Sequence, residues 1–432
     1  MLNGTAVATN RIPDEWVSIV GAQGPKVAYI MSRFPKITET FILYEMLALV
    51  RQGVQVEVYP LLREPAKVVH PEAIPFVKQA HFQPFLSWPI LCAHAYFLRR
   101  KPRTYLGTLW TLLRANLGSV RFLSRALAIF PKTVYFARLM AVEGVTHVHA
   151  HFASHPTAAA FIIHRLVGIP YSFTAHGSDL HRDRHMLREK VAEAAFVVAI
   201  STYNRALIIK ECCEQFCDKV VVIHCGVDTQ VFQPRRNGAD KPAADPFTIL
   251  CIGTFHEVKG QTYLLAACRQ LLEREINFAC HFVGDGPDRP GLVEQADQTG
   301  LAGRVHFHGL LTRRQIVEML QHADVVAVPS VPSKDGRREG IPVVLMEAMA
   351  SGVPVVASRL SGIPELVEDE KSGLLLPPRD AQTLADALER IFRDPALGRR
   401  LGEEGRDKIV REFDLHANAA ALAQRFSTGV AT

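Results

Sequence analysis

Seven residues separate Glu339 from Glu347 in the stretch Arg338–Gly352, REGIPVVLMEAMASG, and that spacing suits a ligand site. Gly340 and Pro342 mark a loop turning into a helix, with Pro342 suited to the first turn. Glu347 then lies about one and a half turns inside. The unpaired backbone N–H groups of such a helix start, around Ile341, Val343 and Val344, make an anion site that suits a diphosphate. A carboxylate near that start can accept hydrogen bonds from sugar hydroxyls. By spacing alone the pair reads equally as a first-turn Glu339 favoured by the helix dipole and a solvated Glu347.

A second stretch is Gly253–Gly260, GTFHEVKG, at the end of a predicted strand. Gly253 permits close backbone approach, and Lys259 can reach a phosphate as a point charge, or can simply be a helix-start lysine in water. Gly284–Pro287 (GDGP) reads as strand–turn–helix and lacks the GxGxxG of a dinucleotide site. His176 lies in Thr174–Asp179, TAHGSD, at another strand end, where it can donate to a substrate oxygen or play a structural part. His147, His149, His151 and His155 look like a metal cluster, and alternation puts the first three on one strand face. No carboxylate or cysteine completes a familiar pattern there, so they read as packing or polar lining, and no metal is expected. Cys212, Cys213 and Cys217 sit in a helical stretch without a second ligand pair.

These residues need a scaffold, and the chain supplies strands alternating with helices. Strand patterns occur at Lys26–Met31, Val54–Tyr59, Val145–Ala150, Tyr171–Thr174, Ala195–Ile200 and Lys219–Ile223. A second series runs through Phe247–Ile252, Phe278–Val283, Val305–His308, Val325–Val328, Val353–Ala357 and Leu374–Leu376. Helical spacing fits Phe41–Arg51, Thr157–Val167, Thr262–Glu273, Arg313–His322, Pro342–Ala350 and Ala381–Phe392. The pattern predicts two doubly wound α/β domains, with ligands at the carboxyl ends of their strands. Residues 1–25 read as an extension, 26–230 as the first domain, 231–246 as a linker and 247–412 as the second domain. Residues 413–432 are expected to cross back to the first domain.

The net charge of +6 is concentrated in Ala73–Val142, which holds ten Lys or Arg and no Asp or Glu. Without that segment the chain would be net acidic. Phe82, Phe85, Trp88, Tyr96, Phe97, Tyr105 and Trp110 are interleaved with its cations, which suits an anionic membrane surface. The longest apolar run, Pro84–Leu98, is interrupted by Pro89 and His94 and is too short to span a bilayer. The first twenty residues lack a basic region followed by an apolar core, so no secretory signal is expected. Eight scattered cysteines show no disulfide framework, which suits a reducing cytoplasm.

Taken in order, GTFHEVKGQTYLLAA, VGDGP, FHGLL, ADVVAVPS, EGIPVVLMEAMASGVPVVAS, GIPELV and SGLLLPPRD resemble the donor-binding half of family 4 retaining glycosyltransferases, which have the GT-B fold. SRFPKITETFILYEM, HVHAHFASHPTA, FTAHGSDL and VIHCGVDTQVFQP are similar to the exopolysaccharide branch, including colanic-acid-type enzymes. The resemblance covers about residues 26–62 and 145–415 and is weak over Val68–Glu143. It implies a hexosyltransferase in which Glu347 binds ribose hydroxyls, Glu339 contacts the donor sugar and Lys259 neutralises the diphosphate. It further implies that His176 touches the sugar from the opposite domain, and that Gly253, Gly340 and the amides of Ile341, Val343 and Val344 border the phosphates. Where many members carry an arginine after the first glycine, this chain has Thr254, with Arg337 or Arg338 as replacements. PKITET at Pro35–Thr40 takes the place of an early glycine-rich loop.

The implied reaction moves a sugar, with retention, from a nucleotide diphosphate sugar to a growing, lipid-linked glycan, without cofactor or metal. Its partners would be the donor, the lipid-linked acceptor and an anionic membrane surface, on the inner face of the cytoplasmic membrane. No nucleic-acid reading motif is present. The alternatives are a GT-B sugar-nucleotide epimerase, which uses water and no acceptor, and a non-catalytic binder of membrane or nucleic acid.

Overall fold

Apolar, β-branched runs form two parallel six-stranded sheets in the computed structural model. It describes residues 24–36, 38–65, 69–85, 87–181, 184–235 and 245–428. Most of the N-terminal extension and of the linker therefore lies outside the described residues, as does Ile37 of the PKITET stretch. The first sheet contains β1 (Lys26–Phe34), β2 (Gln55–Arg63), β3 (His147–His151), β4 (Tyr171–Ala175), β5 (Phe196–Ala199) and β6 (Val220–Val222), in the order β2-β1-β3-β4-β5-β6. The second contains β7 (Phe247–Ile252), β8 (Phe278–Val283), β9 (Val305–Phe307), β10 (Val325–Val328), β11 (Val355–Ser358) and β12 (Leu374–Leu376), in the order β12-β11-β10-β7-β8-β9. The winding direction reverses beside β1 in one sheet and between β7 and β10 in the other, opening a crevice at the carboxyl ends of the strands.

Parallel strands are covered on both faces and so read as continuous apolar runs, but β3 (HVHAH) alternates. Val148 and Ala150 join the core under the Val120–Val142 and His155–Val167 helices. The three histidines take the other face and are fully buried there.

The basic segment is helical, at Ile74–Gln79, Trp88–Arg100, Pro102–Asn116 and Val120–Val142. Phe97 (1% exposed) and Tyr105 (8%) belong to the core, not to an interfacial set, because their helices pack one apolar face inward. Trp88 (76%) and Trp110 (65%) remain outside. Lys132 is also removed from the exposed charge: it is buried, donates to the Leu61 carbonyl at 2.6 Å and sits 4.3 Å from the Phe85 ring centre.

After the Pro395–Glu412 helix the chain runs alongside the first crossover. Val227 N–H donates to the Phe413 carbonyl at 2.9 Å, and Leu415 N–H to the Val227 carbonyl at 3.0 Å. The Leu415–Thr428 helix then packs Leu415, Ala419, Leu422 and Phe426 into the core of the first domain with Tyr29, Met46 and Val198. Phe426 covers the β3 histidines, its ring centre 5.1 Å from that of His147 and 5.3 Å from that of His149.

Candidate active site

One wall of the interdomain cleft grows from loops after β7, β8 and β10. Gly284 (φ 138°) leaves no room for a side chain, since a Cβ there would lie 2.0 Å from the Gly253 carbonyl oxygen. The two loops can therefore nest, and Gly253, Thr254 and Lys259 all border the cleft. Lys259 ends a short turn, Glu257–Lys259, and its ammonium is ion-paired with the Glu339 carboxylate. Pro342 caps the Val343–Ala350 helix (φ −66°, ψ 123°) and so stands just before the first turn expected for it; its extended ψ places the helical turn after it. No side chain among the described residues caps this helix, and Val343 and Val344 border the cleft. Glu347 follows one turn later, and burial pushes its carboxyl up to about 7, partly offset by Arg313.

The other wall comes from the first domain. Asp179 accepts the backbone N–H groups of Ala153 at 2.7 Å, Gly177 at 2.7 Å and His176 at 3.2 Å, which fixes the turn after β4. Asn204 donates to the His176 carbonyl. The His176 ring lies between Phe41 and Phe152, with centres 4.7 and 4.8 Å away. Phe152 holds a left-handed φ of 75°, an unfavourable conformation for an aromatic residue, next to the cleft. Both ring nitrogens have neighbours within the protein: Nε2 lies 3.0 Å from His151 Nδ1, and Nδ1 has Cys225 Sγ at 3.8 Å. Burial, then His151, pull its pKa well below the usual histidine value. The walls meet closely, since a Cβ on Gly340 would lie 2.7 Å from the His176 carbonyl oxygen. The space between them, about 510 Å³, falls in the range of small-ligand sites.

The histidines of β3 are knit into hydrogen bonds. His147 Nε2 and His149 Nδ1 both meet Ser172 Oγ, at 2.7 and 2.8 Å, and His149 Nε2 meets Thr174 Oγ1 at 3.0 Å. Their arrangement does include a carboxylate that sequence reasoning missed, because ligand atoms of Glu45, His149 and His151 lie within 4.8 Å of one another. His155 is elsewhere, stacked on Phe122 with centres 5.2 Å apart.

One cleft residue was missed altogether. Arg313 lies 3.8 Å from the Tyr44 ring centre and 3.8 Å from Asp228 Oδ2, so it spans the two domains beside Glu347. In sequence it looks like its neighbour Arg314, which is 88% exposed by side chain. Glu365, in the GIPELV stretch, reaches across to accept from Thr202 N–H at 2.7 Å and His224 Nε2 at 2.8 Å. Burial raises the pKa of Glu365, but these bonds outweigh it and hold the carboxyl below its usual range. Arg337 borders the cleft near Thr254, with Nη1 3.4 Å from His256 Nε2.

A family model for "Glycosyltransferase Family 4" matches residues 38–231, and one for "Glycosyl transferases group 1" matches residues 235–408. The colanic acid biosynthesis glycosyltransferase WcaL of Escherichia coli K12 is 32% identical over 417 residues, 92% of this chain and 99% of its own. The chain belongs to the family 4 glycosyltransferases. The amylovoran biosynthesis glycosyltransferase AmsK of Erwinia amylovora is 33% identical over 256 residues, 58% of this chain and 61% of its own. Among solved structures, a Rickettsia africae glycosyltransferase superposes with a TM-score of 0.69 at 15% identity, covering 95% of this chain and 100% of its own. Anabaena HepE, in complex with UDP and glucose, gives 0.69 at 18% identity, covering 94% of this chain and 100% of its own. The two facing domains of this glycosyltransferase thus form a GT-B fold.

Proposed function

We propose that this glycosyltransferase transfers a sugar, with retention, from a nucleotide diphosphate sugar to a lipid-linked exopolysaccharide intermediate. The observation that carries the reading is the convergence on one wall of Lys259, Glu339, Glu347 and an uncapped helix start, opposite His176. An arriving diphosphate competes for Lys259 and frees the Glu339 carboxylate to orient the sugar. The lysine and the amides of Val343 and Val344 stabilise charge on the departing phosphate. Glu347 accepts the ribose hydroxyls. The phosphate leaves on the face that the acceptor hydroxyl enters, and it takes up the acceptor's proton. Bound ions or cofactors have no step in this scheme.

The acceptor is proposed to be reached from the membrane surface. No helix among the described residues is long and apolar enough to cross a membrane. The Trp88–Arg100 and Pro102–Asn116 helices expose Trp88 and Trp110 together with Arg99, Arg100 and Arg103. An anionic surface attracts such cations and aromatic rings settle at its interface. Mass spectrometry of products from a panel of nucleotide sugars, with membrane-extracted lipid acceptors, tests the whole reading. An extended lipid-linked glycan is expected; free epimerised sugar would replace it with the epimerase. Co-sedimentation with anionic vesicles, weakened by salt and by neutralising Arg99, Arg100, Lys101 and Arg103, tests the docking.

A further inference from the structure

Glu365 stands beside the cleft, on the short Ile363–Leu366 helix of the second domain, and its carboxylate bonds to the first domain. Oε2 accepts from the Thr202 N–H at 2.7 Å and from Thr202 Oγ1 at 2.5 Å. Oε1 lies 3.0 Å from the same backbone nitrogen and 2.8 Å from His224 Nε2. Thr202 is the first residue of the Thr202–Cys212 helix, and the opening N–H groups of a helix have no partner within it. Ser201 caps that of Asn204 at 3.0 Å. The amide of Thr202 is met from the other domain, by a negative charge that the helix dipole favours at that end. His224 belongs to the chain that leads out of β6 toward the second domain, and its ring centre lies 4.3 Å from that of Phe413.

The same helical turn supports one wall of the cleft. Asn204 donates to the His176 carbonyl, and Gly340 makes its close approach at that carbonyl. Gly362, in the loop that carries Glu365, fits between the domains as well: a Cβ there would lie 3.2 Å from Ser201 Oγ and 2.9 Å from Ile341 Cγ1. Glu365 therefore anchors one end of a short path of contacts that ends where Glu339 faces His176.

We propose that Glu365 is a positioning residue: by capping a helix of the opposite domain it holds the two walls of the cleft in the register that transfer needs. The inference rests on the cleft being the site of transfer. A reaction between groups held by two domains is sensitive to a misplacement of about 1 Å. The contact is polar and Thr202 is exposed, so water can replace it when the domains part to exchange ligands.

Proline is favoured at the first position of a helix and lacks the N–H, and Ser201 already has the extended backbone (φ −158°, ψ 159°) that suits the residue before proline. Thr202→Pro therefore removes the donor and keeps the helix, while Glu365→Ala removes the acceptor. In the full-length protein without ligand, each variant should shift small-angle X-ray scattering to a larger radius of gyration, with an unchanged melting transition by circular dichroism. With the donor and acceptor found in the product survey, each should lower kcat on the order of tenfold, the scale of one charge-assisted hydrogen bond, and move the donor KM by less than about twofold. The double variant should be no worse than either single one, because both remove the same contact. Glu365→Gln keeps an accepting oxygen and should recover most of the rate. Unchanged scattering and kcat in both variants would overturn the proposal. So would full additivity in the double variant, or a lowered melting transition that accounts for the lost rate. If scattering shifts as stated but Glu347→Ala leaves nucleoside diphosphate affinity intact, the donor-site reading fails while the clasp stands.

Discussion

On the C-terminal wall of the cleft, charged groups meet the solvent directly from loops at strand ends: Lys259, Glu339, Arg337 and, deeper, Glu347. Behind the N-terminal wall, polar groups are bonded mainly within the protein, Glu45, His151, His176 and Asp179, while Lys36 and Glu39 form an ion pair at its rim. The first arrangement suits an anionic ligand whose charge must be met at binding. The second suits a rigid surface against which a neutral ligand is oriented, since buried polar groups are costly unless satisfied and so hold one geometry. The difference teaches that loss of a C-wall group should cost ligand or rate at once, whereas the N-wall should act through geometry.

The largest expected effect is at Lys259. Lys259→Ala should lower kcat about 100- to 1000-fold, the range found for one preorganised charge-stabilising donor, with an unchanged melting transition. Loss of the fold together with activity would make the lysine a structural member and blur the contrast between the walls. Next comes Glu347. Glu347→Gln should weaken nucleoside diphosphate binding by about 10- to 100-fold in calorimetry, as for a charged hydrogen bond.

The same substitution has an opposite effect on stability. The folded chain holds the Glu347 proton up to about pH 7, whereas an ordinary glutamate releases it near 4.5. Between those values the folded state binds more protons than the unfolded one, so stability falls as pH rises through the window. Glu347→Gln should therefore stabilise the protein by on the order of 1–2 kcal/mol at pH 8 and by nothing near pH 4, allowing for solvent screening at the cleft. Wild-type nucleotide affinity should decline as pH drops below about 7, because the protonated carboxyl is a poorer acceptor. Denaturant titrations at the two pH values measure the first effect, and calorimetry across the range measures the second.

Arg337 is a smaller case. It is partly exposed and already paired with Asp335 at 3.0 Å, so Arg337→Ala should cost at most about 1 kcal/mol in diphosphate affinity. A much larger loss would make Arg337 the full replacement for the arginine absent at Thr254. The smallest effect is expected from chelation. The β3 histidines are bonded to hydroxyls, to Glu45 and to His176, so prolonged EDTA treatment should leave turnover nearly unchanged. Abolition of turnover, with rescue by one metal, would turn the Glu45–His149–His151 group into a metal centre.

The C-terminal wall was legible because its chemistry is local. Glu339, Pro342 and Glu347 lie within one loop and helix, and Gly253 and Lys259 within the one connection that follows β7. Of the N-terminal wall His176 was named, but the groups behind it were not, because they meet only through the tertiary fold. Ser172 stands beside His149 because β3 pairs with β4, and Glu45 reaches His151 across 106 residues of chain. Arg313 gave no signal either: its role depends on Tyr44 and Asp228, which the fold brings from the other domain. Among the aromatic residues of the basic segment, periodicity alone did not separate buried Phe97 and Tyr105 from exposed Trp88 and Trp110.

The return of the final helix to the first domain has a consequence for the order in which the protein is made. Phe426 closes the face of β3 that carries His147 and His149, and it is synthesised after the whole second domain. During translation the first domain must wait, with that polar face and its neighbours Tyr29 and Phe196 uncovered, while the next two hundred residues emerge over roughly ten to forty seconds. A ribosome that stops short of the last helix releases two sheets but an unfinished first domain, whose exposed apolar surface marks it for chaperones and proteases.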